Sequence, residues 1–531
     1  MRAWIFIVTL LLAACGGGGG NSGGNGGGNQ GSGWQAGVFD DYNSFYAQCQ
    51  SPRSGINPAT NQAYPDVQGT TLDENNFLRS FSNDVYLWYD EITDRDPGLY
   101  NNALTYFDLL VTEERTPSGQ LKDKFHFTYD SDEWYQLSQS GVSSGYGIAW
   151  AFISNTPPRE LLIAYTEPNS PATNLAEPLE RGARILAIND VDIDDTSPAG
   201  VNTLNAGIWP SGPGQQYKFT VQDLGSANSR DVTLTSANIT SAPVQNVQVI
   251  STVSGEVGYM TFNDHIATAE QALIDAVNQL NAHNGGQGVD DLVLDLRYNG
   301  GGYLAIASEL AYMIAGPGPT AGRTFEETQF NDKHPVTNPI TGQPLAPTPF
   351  YSQTLGPPFN GVPGQALPSL DLLRVFVITG SGTCSASEAV MNGLRGVGVD
   401  VIQIGSTTCG KPYGFYPIDN CGTTYFTIQF RGVNAVGFGD YTDGFSPNNT
   451  PVGQAGEVIP GCSVADDFTK QLGDETEDRL LVALAYRDGQ ACPAATGSAP
   501  GVFSKTGLPL NAVDPIVPKS PWHTNRIMRP N

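Results

Sequence analysis

Basic residues are scarce in this 531-residue chain: 26 Lys and Arg stand against 53 Asp and Glu, a formal net charge of −27. A surface of that sign repels phosphate backbones, so nucleic acid is not expected as a partner, and the charge is read as a means of solubility. Histidine is also rare, with 5 residues scattered along the chain, and the 7 cysteines show no zinc-ligand spacing. Neither a metal nor another cofactor is expected. Past the first dozen residues no apolar run is long enough to span a bilayer. The 22 tyrosines and 7 tryptophans are too dispersed to form a glycan-binding platform and read as core residues. At this length two to four domains are expected.

The N-terminus does carry a short apolar run. Arg2 precedes residues 4–12, and Leu12-Ala13-Ala14-Cys15 closes the run. This is the layout of a secretory signal (residues 1–14), too short for a permanent span. Its ending resembles a bacterial lipobox, which implies lipidation of Cys15 and attachment to a membrane. Residues 16–33 consist almost wholly of Gly, Asn, Ser and Gln, a tether with nothing to bury. Because Gly16, not Asp, follows the cysteine, the resemblance points to the outer membrane of a Gram-negative cell. In an oxidising compartment the other cysteines, Cys49, Cys384, Cys409, Cys421, Cys462 and Cys492, permit up to three disulfides. Cys409 and Cys421 are near enough in sequence to close a local loop, but the pairing stays open.

Three folded regions follow. Residues 34–140 read as mostly helical, with Leu78, Phe81 and Val85 near helical spacing and Leu104, Phe107 and Leu110 repeating it. Residues 141–240 switch to short strands, as in Leu161-Leu162-Ile163-Ala164-Tyr165. Two pieces of this region resemble a PDZ domain. Gly145-Tyr146-Gly147-Ile148 matches the loop that receives a peptide's terminal carboxylate, and Leu179-Glu180-Arg181-Gly182-Ala183-Arg184-Ile185-Leu186 matches the second half of the fold, with Ala183 where Asp is usual. Glycines let backbone amides converge on an anion, and an exposed strand edge takes up the peptide as an added strand.

Residues 245–490 read as α/β. Val257 to Phe262 form a strand, Thr268 and Gln271 suggest a capping box for the helix after it, and Leu292 to Leu296 form the next strand. That order makes a parallel βαβ unit. Residues 316–368 are rich in Pro and Gly and read as a surface insertion. Residues 491–531 form a C-terminal tail without usable periodicity. The expected architecture is thus multidomain α+β: a helical start, a PDZ-like β domain and an α/β core.

Three segments carry chemistry. Cys384-Ser385-Ala386-Ser387-Glu388 follows the strand around Val375 to Thr379, and 26 positions after Ser385 comes Lys411 in Gly405-Ser406-Thr407-Thr408-Cys409-Gly410-Lys411. Leu294-Asp295-Leu296-Arg297-Tyr298-Asn299-Gly300-Gly301-Gly302 lies upstream. With the β domain, these resemble the C-terminal-processing (tail-specific) serine peptidases over residues 71–486. The resemblance implies Ser385 as nucleophile, Lys411 as general base, and the amides of Gly301 (or Gly300) and Ala386 as oxyanion donors. On the residues alone, Ser385 and Glu388 also fit a helix N-cap with a capping box. A helix start offers unpaired N–H groups to an oxyanion, and a lysine base must be held neutral by burial or nearby charge. Relatives often place Gln or Glu four residues after the lysine. Here Phe415 stands there, leaving Gln403, Gln429 and Asp419 as candidates to orient Lys411. Related tricorn-type peptidases use a histidine instead, and His265 is the candidate. No Gly-x-Ser-x-Gly elbow surrounds Ser385, so a lipase-type hydrolase is not expected. The expected function is endoproteolysis of exported polypeptides; the competing one is a catalytically silent, peptide-binding scaffold lipoprotein.

Overall fold

The computed structural model describes residues 34–57, 60–451 and 456–494, together with Val517 and Arg526–Ile527. The signal, Cys15 and the tether lie outside the described residues. Among those described, no helix is long and apolar enough to cross a membrane.

The start is less helical than its periodicity predicts. Helix α1 (Thr71–Val85) opens with a capping box between Thr70 and Asp73, and Phe77, Leu78, Phe81 and Val85 bury one face. After it come only a short helix at Ala103–Phe107 and a helix at Ser131–Ser140. The strand Phe127–Asp130 instead joins Thr423–Phe426 of the core, and Cys49 is bonded to Cys421, so this region is stitched to the core rather than separate from it. Short turn-rich pieces gain order from such long-range pairing, which no local pattern displays.

The next region is a sheet running β1 (Ile148–Ser154), β2 (Glu160–Thr166), β3 (Arg184–Ile188), with helix α2 (Pro198–Ile208), β4 (Gln216–Gln222) and β5 (Arg230–Thr235). The spatial order β5-β4-β3-β2-β1 leaves β1 at the edge. Trp150, Ile163, Ile185, Phe219 and Val221 form its core.

The third region is built on six strands: β6 (Val244–Thr252), β7 (Gly255–Phe262), β8 (Asp291–Asp295), β10 (Arg374–Thr379), β11 (Asp400–Gly405) and β13 (Gly461–Ser463), side by side in that order. The short pieces β9 (Gly302–Tyr303) and β12 (Tyr413–Gly414) lie outside this sheet. β6 is antiparallel to β7, and every later neighbour is parallel. Helices α3 (Ala269–Asn281), α4 (Leu304–Ala315) and α5 (Ala386–Gly396) pack on one face, with Leu273, Leu310 and Val390 in one apolar cluster. β8 is buried throughout and β10 from Val375 onward, as a sheet covered by helices requires.

Two expectations need correction, and the pairing left open in the sequence is decided. Thr268 makes no side-chain cap to α3; the Gln271 amide donates instead to Asn360 Oδ1 at 3.1 Å, so a distant residue supplies the acceptor. Residues 316–368 are not a surface excursion: Phe325, Phe350, Phe359 and Leu367 join the main core, and Thr324–Gln329 pairs with Phe430–Val433. Cys409 and Cys421 do not pair with each other. The three disulfides are Cys49–Cys421, Cys384–Cys409 and Cys462–Cys492.

Candidate active site

Parallel strands deliver their C-terminal ends to one edge of the sheet, where α/β folds bind ligands. At this edge His265 follows β7, the triple glycine follows β8, Ser385 follows β10 and Lys411 follows β11. The four loops of the sequence motifs therefore meet, and Ser385, Lys411 and His265 are all fully buried.

Ser385 sits between β10 and α5 with φ +60° and ψ −109°, a conformation that costs a non-glycine residue about 1–3 kcal/mol. Neighbouring bonds hold it there. The Cys384 amide donates to the Asn299 carbonyl at 3.2 Å, the Ser387 hydroxyl donates to the same carbonyl at 3.0 Å, and the Thr383 hydroxyl donates to the Leu296 carbonyl at 2.8 Å. The nucleophile turn is thereby sewn to the loop after β8. Ala386 is the first residue of α5, a position whose amide has no acceptor within its own helix.

The lysine loop is joined to the serine turn twice. Glu388, fully buried in the first turn of α5, accepts from the Ser385 amide at 2.9 Å, the Lys411 amide at 2.8 Å, the Gly410 amide at 2.9 Å and the Thr408 hydroxyl at 2.5 Å. Burial nevertheless pushes its carboxyl above the ordinary range, with the Thr408 hydroxyl and the three amides pulling it down. The second link is covalent: Cys384, one residue before the serine, is bonded to Cys409, two residues before the lysine. Gly410 adopts φ +81°, and a Cβ there would lie 2.2 Å from the Thr442 carbonyl oxygen, so the turn into Lys411 demands glycine.

The Lys411 ammonium nitrogen lies 4.5 Å from the Phe125 ring centroid and 4.9 Å from that of Phe415. Phe415 thus occupies the place expected for an orienting carboxamide. Of the three alternatives, Gln429 and Asp419 are committed elsewhere, and Gln403 commits its amide nitrogen while its buried Oε1 has no hydrogen-bond partner among the described residues. Gln403 donates to the Thr379 hydroxyl and to two carbonyls, Gln429 exchanges two bonds with the Tyr416 main chain, and Asp419 accepts from Arg53 and Ser131.

Gly301, the expected oxyanion donor, has its amide on Asn299 Oδ1 at 3.0 Å. That internal bond competes with an oxyanion role. Asn299 also donates through Nδ2 to the Phe262 carbonyl at 2.9 Å, so its oxygen is fixed as the acceptor. His265 Nδ1 lies 3.0 Å from the same oxygen and must therefore carry the proton, leaving the lone pair of the neutral ring on Nε2.

Behind the site a buried ionic cluster ties the β domain to the core. Arg297 meets Asp295, Asp466 and Glu477, while Arg181 meets Asp466 at 2.7 Å and the Tyr298 hydroxyl at 2.5 Å. Burial pushes the Asp466 carboxyl up, but Arg181 and Arg297, with Arg479 and the Tyr298 hydroxyl, outweigh it and hold it far below the ordinary range.

In the β domain, Gly145, Tyr146, Gly147 and Ile148 sit at the entry to β1. Gly147 has φ +75°, with its would-be Cβ 2.2 Å from that of Ser170. Tyr146 is buried against Phe219. The four residues line a cavity of about 650 Å³ whose other walls include Ile208 and Trp209 at the end of α2 and Asp264 beside His265.

Among the described residues, Cys384, Glu388 and Cys409 lie close enough together to hold an ion, their ligand atoms within 4.8 Å. With the two sulfurs joined in a disulfide they are not thiolate ligands.

Sequence reasoning missed Glu388 as the clasp, Asn299 as the residue that orients His265, and Phe125. Glu388 and Asn299 lie inside the quoted motifs, where Glu388 reads as a helix-capping residue and Asn299 has no separate signal. Phe125 has no local signal.

Residues 256–415 match the model of peptidase family S41. A carboxyl-terminal-processing protease of Picosynechococcus sp. (strain ATCC 27264 / PCC 7002 / PR-6) is 29% identical over 218 residues, 40% of this chain and 48% of that protein. The chain thus spans about half the length of this curated relative. A solved protein of Bacteroides fragilis NCTC 9343, assigned to the S41 proteases, shares the fold, with a TM-score of 0.56 and 21% identity over 80% of this chain and 98% of its own. Residues 256–415 are therefore similar to a peptidase family S41 domain, and they include the sheet edge where the serine, lysine and glycine loops converge.

Proposed function

We propose that this chain is a serine endopeptidase acting on polypeptides, with Ser385 as nucleophile and Lys411 as its general base. The observation that carries the reading is the double link, Glu388 and Cys384–Cys409, between the serine turn and the lysine loop. Two loops so joined hold a nucleophile and a base in register, the requirement for general-base attack. Full burial strips Lys411 of hydration, which disfavours its ammonium form, while the two aromatic faces favour it. Ser385 would attack the peptide carbonyl, its proton passing to the base and then to the leaving amine, and water would hydrolyse the acyl-enzyme. Oxyanion donors would be the Ala386 amide at the head of α5 and the Gly301 amide after it exchanges Asn299 for the substrate oxygen. Gly300 is the alternative from the same loop.

The β domain is proposed to act as a PDZ domain. Edge strand β1 offers its main chain to an added strand, and the Gly145–Ile148 loop stands at its entrance beside the 650 Å³ cavity. Its ligand would be the apolar C-terminal segment of a substrate. Export and anchoring through Cys15, at the outer membrane, complete the reading.

His265 supports a second reading. Its tautomer, set by Asn299, leaves on Nε2 the lone pair that a histidine base needs. The test compares cleavage of an unstructured polypeptide by the parent with Ser385→Ala, Lys411→Ala and His265→Ala, each checked for folding. Loss in the serine and lysine variants, with His265→Ala largely active, supports the dyad. Loss in the serine and histidine variants, with activity kept in Lys411→Ala, transfers the base to His265. Cleavage unaffected by Ser385→Ala rejects Ser385 as the nucleophile and points to a contaminant or another nucleophile, and cleavage absent from the parent favours the scaffold.

A further inference from the structure

Beyond residue 494 two parts of the C-terminal tail are described, and both lie along the proposed substrate route. Arg526–Ile527, strand β14, pairs in parallel with β9, Gly302 opposite Arg526 and Tyr303 opposite Ile527. β9 starts one residue after Gly301. On its other side β9 is fixed by His265, whose carbonyl accepts the Tyr303 amide at 2.8 Å. β14 also lies against β12, two residues past Lys411. Two tail residues are thus inserted between the glycine loop and the segment that follows the lysine. Nine residues upstream, Val517 lines the cavity beside the Gly145–Ile148 loop and packs on the cluster containing Tyr165 and Tyr298.

The tail's composition suits that location. From Val517 onward it holds Lys519, Arg526 and Arg529 and no acidic residue, in a chain whose net charge is −27.

We propose that β9 is the edge on which a substrate segment pairs as it approaches Ser385, and that the chain's own C-terminal segment around Arg526–Ile527 occupies this edge as an internal competitor. The substrate half of this inference rests on the peptidase reading; the occupancy of the edge does not. A tethered ligand acts at an effective concentration of about millimolar order, so a substrate must displace it and the apparent KM rises.

The test uses the full chain and Ile527→Pro, which removes the main-chain N–H of β14, with a chain ending at Asn525 as a second variant. Both variants are expected to cleave an unstructured basic polypeptide with KM lowered about three- to tenfold and kcat unchanged. Independently of turnover, a fluorescent peptide spanning residues 522–531 should bind both variants in a Ser385→Ala background more tightly than it binds Ser385→Ala alone. If the peptide discriminates in this way but no protein cleaves, the tail inference stands and the peptidase reading falls. If cleavage depends on Ser385 while neither KM nor peptide binding responds to the tail changes, the inference is overturned and the peptidase reading survives.

Discussion

Glu388→Gln is the most informative single change, because it keeps size and removes one acceptor oxygen. Oε2 receives the Ser385 and Lys411 amides, and Oε1 receives the Gly410 amide and the Thr408 hydroxyl. Whichever oxygen becomes an NH2 group then faces two donors. Hydrogen bonds to a charged acceptor are worth about 1.5–3 kcal/mol each, so losing two places the cost at about 3–6 kcal/mol. Part of that is lost as global stability. The rest appears as misalignment of the serine turn and lysine loop, for which a kcat loss of about 100-fold is expected. Glu388 is a positioning residue, so KM should stay within about twofold while kcat falls. Steady-state kinetics with a short fluorogenic peptide, alongside urea denaturation, separates the two effects. Wild-type kcat in a folded Glu388→Gln protein would refute the claim that this carboxylate holds the dyad together.

Replacing both Cys384 and Cys409 by Ala should lower stability by about 3.5 kcal/mol from the 25-residue separation of the bridge, read by urea denaturation. Glu388 still spans the gap, so kcat should fall by less than in Glu388→Gln. Asp466→Asn should cost about 3–5 kcal/mol by leaving Arg181 and Arg297 short of a buried counter-charge. Because the folded carboxyl is held below its unfolded value, its contribution is present above about pH 4 and lost as pH falls further, so the deficit of the variant in thermal melting should shrink in acid. Glu309 has the opposite sign. Burial, together with Glu270, pushes its carboxyl up to about 10, so the folded state retains a proton and stability falls as pH rises from the ordinary carboxyl range toward that value. Glu309→Gln should therefore raise stability by about 1–3 kcal/mol at pH 8, with little gain at pH 4; an equal Tm difference at both would contradict this.

The local chemistry was legible in the sequence wherever a short segment needs a particular residue at each position. The turn before α5 had to contain small residues and a carboxylate, the lysine loop had to contain Gly410, and the two were recognisable as motifs without any coordinates. The apolar runs of β7, β8 and β10 likewise announced buried strands, since a strand covered on both faces has no polar side to alternate with. The tertiary structure decided what depends on chain segments far apart. Residues 316–368 look like a surface excursion because Pro and Gly mask their periodicity, yet four aromatic and aliphatic side chains there find the core. Six cysteines allow fifteen pairings, and only the meeting of β10 and β11 ends puts Cys384 beside Cys409. The aromatic faces against Lys411 come from Phe125, 286 positions upstream, and from a Phe415 that motif comparison marked as a departure. The tail, without periodicity of its own, acquires a strand only from the edge it meets. Residue types and short spacings determine which reactions a segment is equipped for; three-dimensional packing determines which neighbours desolvate, orient or occupy it.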